Sequence, residues 1–320
     1  MYIQPTKPFP YKMIYQWYNL ASVKFEMIRY LYNREFSLLV PRFIEDKEVK
    51  KRSVRNLKSH NVQGFDFNLR ATDMFKKETP YNFYYSMARY KNGLPDQTLN
   101  FAERDNTDWN KNCYKSIISY DYLIDIDAPD FNDMQMAYES AYNVKELFDK
   151  FKVPYELRLS SLGFHFVIPY KYLPQNLTLN PHEENNLYQF LSKLTKFIFE
   201  ECSEMIDTNI YDSRRLCKIP YSLALYYHDA FVCSPFLNNT EFENFKLYNY
   251  RPNNYPFNIE RRGTKIFNEQ GNLSLLLLHF ELNKYIKGLI VNQNSTILSA
   301  KKEEIDKVKE EGYYAGIGLP

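Results

Sequence analysis

Glycine is scarce in this chain, nine residues in 320. That argues against glycine-rich phosphate loops and against collagenous or low-complexity character. Cysteine is sparse as well. Cys113, Cys202, Cys217 and Cys233 are far apart and form no C-x₂-C pair, so there is no recognisable zinc knuckle and no disulfide framework. Such usage fits a reduced, intracellular setting. Long hydrophobic runs are missing too. The most apolar stretch, residues 273–280, includes Ser274 and His279 and is far too short to span a bilayer. The polar, proline-containing N-terminus does not read as a signal peptide, and a soluble protein without a membrane partner is expected. Net charge is nearly absent, +2 from 41 basic and 39 acidic residues. Any affinity for nucleic acid must then come from a local patch.

Aromatic residues, by contrast, are abundant, with 29 Tyr and 24 Phe. The length allows one large domain or two smaller ones. With no internal repeat and no linker, one composite α/β domain is the simplest organisation. Helical spacing of Ile14, Trp17, Phe25, Ile28 and Leu31 predicts a helix over residues 10–32. A strand is expected in the tail of 34–40. The basic run Lys50, Lys51, Arg52, Arg55 and Lys58 reads as a solvated surface loop, or else as a contact for phosphates. Further strands are expected at 79–86, 155–160, 164–168 and 206–210, and residues 91–111 form a polar, turn-rich segment. A helix over about 132–151 carries Ala137, Ala141, Val144 and Phe148 as a core stripe. Asn180-Pro181 reads as an N-cap and first helical position, opening a helix with Leu187, Leu191, Leu194 and Ile198 on one face. Periodicity does not decide between helix and strand for 273–290. Arg261-Arg262-Gly263 reads as a basic turn, and the last twenty residues as a charged, helix-prone run.

Chemistry concentrates at Y-D-Y-L-I-D-I-D-A-P-D, residues 120–130. Ile124 and Ile126 alternate with Asp125 and Asp127, a strand pattern that projects both carboxylates from one face. Like charges so placed repel unless a cation sits between them, and Mg²⁺ takes carboxylate oxygens plus substrate phosphates. The bland alternative is an acidic strand end turning into solvent. Three weaker features follow. Ser160-Ser161-Leu162-Gly163-Phe164-His165 reads as strand, tight turn and strand, where backbone amides could approach a phosphate and His165 could donate to one; a half-buried, hydrogen-bonded histidine is the plain alternative. Asp207 is a lone acid in an apolar setting. Arg214, Arg215 and Lys218 precede Ile219-Pro220-Tyr221-Ser222-Leu223 as basic groups available to a polyphosphate.

The order D-x-D, S-x-x-G-x-H, lone Asp, then a basic residue before P-x-S-L resembles the archaeo-eukaryotic primase superfamily. It is similar in particular to the catalytic (small) subunit of archaeal and eukaryotic DNA primases. Phe9-Pro10-Tyr11, Arg34-Glu35-Phe36-Ser37 and Tyr85-Ser86-Met87-Ala88-Arg89-Tyr90 look like that subunit's N-terminal segments, so the resemblance runs from about residue 9 to 236. It implies the primase-polymerase α/β (α+β) fold: a mixed sheet flanked by helices, with an RRM-like half carrying the acids. The catalytic domain would span 1–245, followed by a C-terminal extension, 246–320, packed on or projecting from it.

By resemblance, Asp125, Asp127 and Asp207 would be catalytic and bind two divalent ions, Mg²⁺ or Mn²⁺. Ser160, Ser161, Gly163, His165, Lys218 and Ser222 would hold the incoming triphosphate, with Glu35 and Arg52 as lesser candidates near the site. Where the family has S-G-R-G or S-G-R-R-G, this chain has Ser161 and Leu162; Arg158, Arg214 or Arg215 are the candidates for the missing charge. Ala224 stands where the family has the histidine of S-x-H, no K-T-G follows, and His228 lies four residues on. The family's zinc module is missing, since only about 32 residues separate Asp127 from Ser160 and none is cysteine; no structural zinc is expected. The implied activity is primer synthesis on single-stranded DNA from NTPs or dNTPs. Implied partners are the template and a large iron–sulfur primase subunit, in the cytoplasm or, in a eukaryote, the nucleus. Two other readings compete. A catalytically impaired relative would hold single-stranded DNA or act as a scaffold. An unrelated metal-dependent nuclease would use Asp125 and Asp127 but not the other segments.

Overall fold

The computed structural model describes Phe9 and residues 11–44, 47–57, 82–91, 113–209, 211–226, 228–259 and 264–291. Pro10, Lys58, residues 79–81, the polar segment from 92 to 111, Ile210, the Arg261-Arg262-Gly263 turn and the charged run from 301 onward lie outside the described residues.

Instead of one helix over 10–32 there are two, α1 (Tyr11–Asn19) and α2 (Ala21–Leu31). Leu20 breaks the ladder with extended backbone, φ −62° and ψ 126°. The turn lets both helices lay an apolar stripe on one core: Ile14, Trp17 and Tyr18 from α1, Val23, Met27 and Leu31 from α2. Two buried polar contacts fix the seat. Trp17 Nε1 donates to the Tyr221 carbonyl at 2.8 Å, and the Leu223 N–H donates to the Tyr18 hydroxyl at 2.7 Å.

Next come β1 (Arg34–Ile44), β2 (Lys47–Leu57) and β3 (Asn82–Tyr90), paired in the order β2-β1-β3. The basic run expected as a loop is therefore the body of β2, with Arg52 opposite Val40. Beyond β2 the sheet has no further partner among the described residues, and lysines and arginines are common on such edge strands. β4 (Ile117–Tyr120) lies on the other side of β3 and passes through Asp121 into β5 (Tyr122–Asp127), which belongs to a second sheet. Asp121 holds this crossing. It accepts from the Tyr170 N–H at 2.9 Å and pairs with the buried Arg34 guanidinium.

The second sheet is built by β5, α3 (Met134–Lys150), β6 (Glu156–Leu159), β7 (Gly163–Ile168) and α4 (Leu187–Cys202). After α4 the chain returns to the free edge of β5, where Ile206 bridges Ile126. The result is a β-α-β-β-α-β unit with strand order 206-β5-β7-β6, all neighbours antiparallel, which is the expected RRM-like half. Ile124, Ile126, Phe164 and Phe166 pack toward the helices, as the edge-on contacts of Phe148 with Phe166 and of Tyr138 with Phe164 show. The mixed α/β class stands, but its strand ladders are antiparallel and split among three sheets.

β8 (Leu216–Lys218) pairs with β3 beside β4, and β9 (Leu223–Leu225) with β10 (Ala230–Val232) forms a small third ladder. The 206–210 strand reduces to the single Ile206 bridge. Asn186, not Asn180, caps α4: its side chain accepts from the Gln189 N–H at 3.0 Å, a contact worth about 1 kcal/mol. Asn180 instead caps the preceding turn through the His182 N–H. After the short α5 (Asn239–Glu243), the undecided 273–290 stretch is a helix, α6 (Ser274–Val291). The described residues past 245 pack on the same body. Phe267 exchanges two backbone hydrogen bonds with Tyr155, and Arg251 pairs with the buried Asp229. Among the described residues no helix is long and apolar enough to cross a membrane.

Candidate active site

Alternation on β5 puts Asp125 and Asp127 on the sheet face opposite the helices. Their surroundings nonetheless differ. β3 and β8 cover the middle of that face, so Asp125 is buried at 6% exposure, while Asp127, at the strand end, is exposed. Across the sheet, His165 on β7 lies opposite Asp125, Arg158 on β6 lies opposite His165, and the Asp207 N–H donates to the Asp125 carbonyl at 2.9 Å. Asp207, Asp125, His165 and Arg158 thus form one row.

The repulsion expected between the two strand acids is already offset within the protein at Asp125. Arg215 Nη2 reaches its Oδ2 at 2.8 Å, and His165 Nε2 lies 3.1 Å from Oδ1. Oδ1 is otherwise buried, with no further hydrogen-bond partner. Burial raises the Asp125 carboxyl, but His165, Arg215 and Lys218 outweigh it and hold the group at about 2. Asp127 shifts the other way: partial burial and the Asp125 charge push its carboxyl up, against Lys218.

His165 is fully enclosed, with its second ring nitrogen 3.2 Å from the Cys217 thiol. Burial disfavours its charged form, yet Cys217 and Asp125 raise it to about 10. The thiol moves oppositely: burial raises it, and the imidazolium beside it brings it below its ordinary value. Cys217 thus belongs to the site, and in the sequence it was only the residue before Lys218.

Two of the predicted positions owe their residue type to packing. A methyl group on Gly163 would lie 1.7 Å from the Ile126 carbonyl oxygen and 2.9 Å from Asp127 Cα, so the bare glycine lets β7 close on β5 beside the acids. Arg158, at 1% exposure, is spent on Glu156 at 2.6 and 3.0 Å and on the Tyr85 hydroxyl at 2.7 Å; it joins the two sheets and does not reach the exposed patch around Asp127. Ser160 and Ser222 are likewise enclosed, each with a buried hydroxyl that makes no hydrogen bond.

The remaining candidates reach the edge of the patch. Lys218 Nζ donates to Ser161 Oγ at 2.6 Å, tying β8 to the turn between β6 and β7. Burial lowers the Lys218 ammonium, but Tyr84, Tyr226 and Asp127 raise it further, and it stays charged. Tyr84, half-exposed on β3 directly across from Lys218, is a second neighbour of the acids that sequence reasoning missed; strand alternation from the buried Phe83 and Tyr85 was the available signal. Arg214 pairs with the buried Glu35 at 3.0 Å. Arg52 lies on β2, and His228 in the turn between β9 and β10. Asp207 shares the acidic face, but its Oδ1 accepts from the Asn209 N–H at 2.9 Å. Among the described residues no three His, Cys, Asp or Glu side chains converge closely enough to hold a metal ion.

The segment Pro220-Tyr221-Ser222 carries strain. Tyr221 has φ 69°, an outlier for a bulky residue that persists only where surroundings over-determine it. Its N–H donates to the Cys233 carbonyl at 2.6 Å, and its carbonyl takes the Trp17 indole.

No protein-family model matches the chain. No curated protein matches it. Among solved structures it is similar to the polymerase domain from Mycobacterium tuberculosis Ligase D in complex with DNA, at 12% identity and a TM-score of 0.43, over 73% of this chain and 83% of that one.

Proposed function

We propose that this chain is a template-directed nucleotidyltransferase of the primase-polymerase kind, a DNA primase catalytic subunit that makes short primers on single-stranded DNA. One observation carries the proposal. Four motifs scattered between residues 125 and 218 meet on one sheet face: Asp125 touches His165 and Arg215, Asp127 lies opposite Gly163, Asp207 bonds to Asp125, and Lys218 bonds to Ser161. A fold with no use for a joint site has no reason to gather them.

The donor set suits hard divalent ions. Asp125 offers a buried oxygen with no hydrogen-bond partner beyond His165, Asp127 an exposed carboxylate, and Asp207 a third acid on the same face. Two carboxylates completed by phosphate oxygens are ordinary support for Mg²⁺. When bound, the ions would supply Lewis-acid activation of a primer 3′-hydroxyl and neutralise charge on departing pyrophosphate. The chain's own residues do the rest. Lys218 and Arg215 attract the triphosphate, the turn at Ser161 and Leu162 bounds it, and His165 keeps the Asp125 carboxylate ionised and oriented. The large iron–sulfur subunit rests on the resemblance alone.

A second reading has its own observation. The Asp125 charge is already compensated by Arg215 and His165, which suits a protein that holds single-stranded DNA without catalysis. An extension assay separates the readings: single-stranded template with Mg²⁺ or Mn²⁺, with and without primer, NTPs and dNTPs apart. Metal-dependent chain growth is expected. Binding of template without product would support the non-catalytic relative, and shortened strands would point to a nuclease.

A further inference from the structure

Arg215 is held to its buried acid more loosely than Arg158 or Arg251 is to its own. Arg158 grips Glu156 with two nitrogens, at 2.6 and 3.0 Å, and is almost wholly enclosed. Arg251 grips Asp229 through both carboxylate oxygens. Arg215 makes one contact, Nη2 to Asp125 Oδ2 at 2.8 Å, while its Nε is buried without a hydrogen-bond partner and 27% of its side chain faces solvent. Its neighbour Arg214 has a separate acid, Glu35. Arg215 thus holds one oxygen of the Asp125 carboxylate by a single charge-assisted bond, beside the other oxygen that faces His165, so a cation drawn to that carboxylate competes with it for the same negative charge.

We propose that Arg215 is a resident counter-ion of Asp125 that a divalent cation displaces, and that the guanidinium so released turns to the triphosphate beside Lys218. This rests on the acidic face being a divalent-cation site. The two cations compete for one carboxylate, so the metal-free protein holds Asp125 ordered and neutralised. Metal binding frees a positive group at the place where an anionic substrate arrives. Metal and triphosphate then bind with positive coupling.

The test is a Mg²⁺ titration of the full chain carrying ¹⁵N/¹³C-labelled arginine side chains, with the Arg215 signal identified by its loss in Arg215→Lys. Its guanidinium should shift and rotate more freely in step with Mg²⁺ saturation, and be free without metal in Asp125→Asn. Calorimetry should find Mn²⁺ bound about five- to tenfold tighter by Arg215→Ala, as removal of one partly exposed, charge-assisted contact implies. Arg215→Gln serves if the alanine variant does not fold. An Arg215 signal still restricted at saturating Mg²⁺, or affinity unchanged or weaker in the variant, sinks the displacement while leaving the metal site intact. No Mg²⁺ or Mn²⁺ binding by either protein overturns the metal site and the displacement together.

Discussion

Replacing Gly163 by alanine separates two reasons for a glycine beside the acids. If the residue served phosphate approach, Gly163→Ala would weaken nucleotide binding and leave the fold alone. The structure gives the other reason. The added methyl would sit 1.7 Å from the Ile126 carbonyl oxygen and 2.7 Å from its carbon. Both are backbone atoms, so no side chain can swing away and the strands must part by well over an ångström. Such a movement breaks the local bonds, Ser160 N–H to Gly163 O and Ala128 N–H to Leu162 O, both 2.9 Å. Two backbone hydrogen bonds at about 1 kcal/mol each and an overpacking cost of about 1–3 kcal/mol give a loss of about 3–5 kcal/mol. That is a large share of a typical stability of about 5–15 kcal/mol. Urea unfolding followed by tyrosine fluorescence measures it directly. A loss below about 1 kcal/mol, with weakened nucleotide binding, would refute the steric account.

Asp125→Asn strands His165 and Arg215 beside a neutral amide, and should cost about 3 kcal/mol. Its pH dependence has a fixed sign. Asp125 is depressed to about 2 from the usual 3.8, so its contribution is whole above about pH 4 and lost as pH falls toward 2. The stability gap between wild type and Asp125→Asn should close over that window in acid titrations; a constant gap would mean the ion pairs are not its source. Arg158→Ala leaves Glu156 buried without its guanidinium and should lose about 3–5 kcal/mol by denaturant melt. A stable variant with only raised nucleotide KM would instead return Arg158 to triphosphate binding.

Much of the site was legible in the sequence because period-2 alternation fixes which face a strand residue takes. Asp125 and Asp127 share a face as expected, and the Ser160–His165 segment forms the expected hairpin. Alternation is silent about what packs onto that face. Only the pairing of β8 with β3 shows that Asp125 is covered and Asp127 is not, and that pairing joins residues 130 or more positions apart. His165 is more deeply buried than the half-buried histidine of its plainer alternative. Local signals also competed. Asn180-Pro181 carries a good capping signature, yet Asn186 lies directly ahead of the apolar stripe that α4 buries. In β2, charge suggested solvent, but an edge strand tolerates charge equally well. The break at Leu20 has no local signature; it follows from seating Trp17 and Tyr18 on the distant 221–223 segment.

The central claim is that charge at the strand end serves chemistry rather than the fold, and Asp127→Asn tests it most directly. The residue lies at the exposed strand end and its carboxyl is pushed up by partial burial and by the Asp125 charge, so the amide should leave the denaturation midpoint unchanged or slightly raised. Primer extension by the same preparation, with Mg²⁺ and with Mn²⁺, should fall by about a thousandfold or more, as expected when support for a metal-bound transition state is removed. Extension within tenfold of wild type by a folded Asp127→Asn protein would contradict the account.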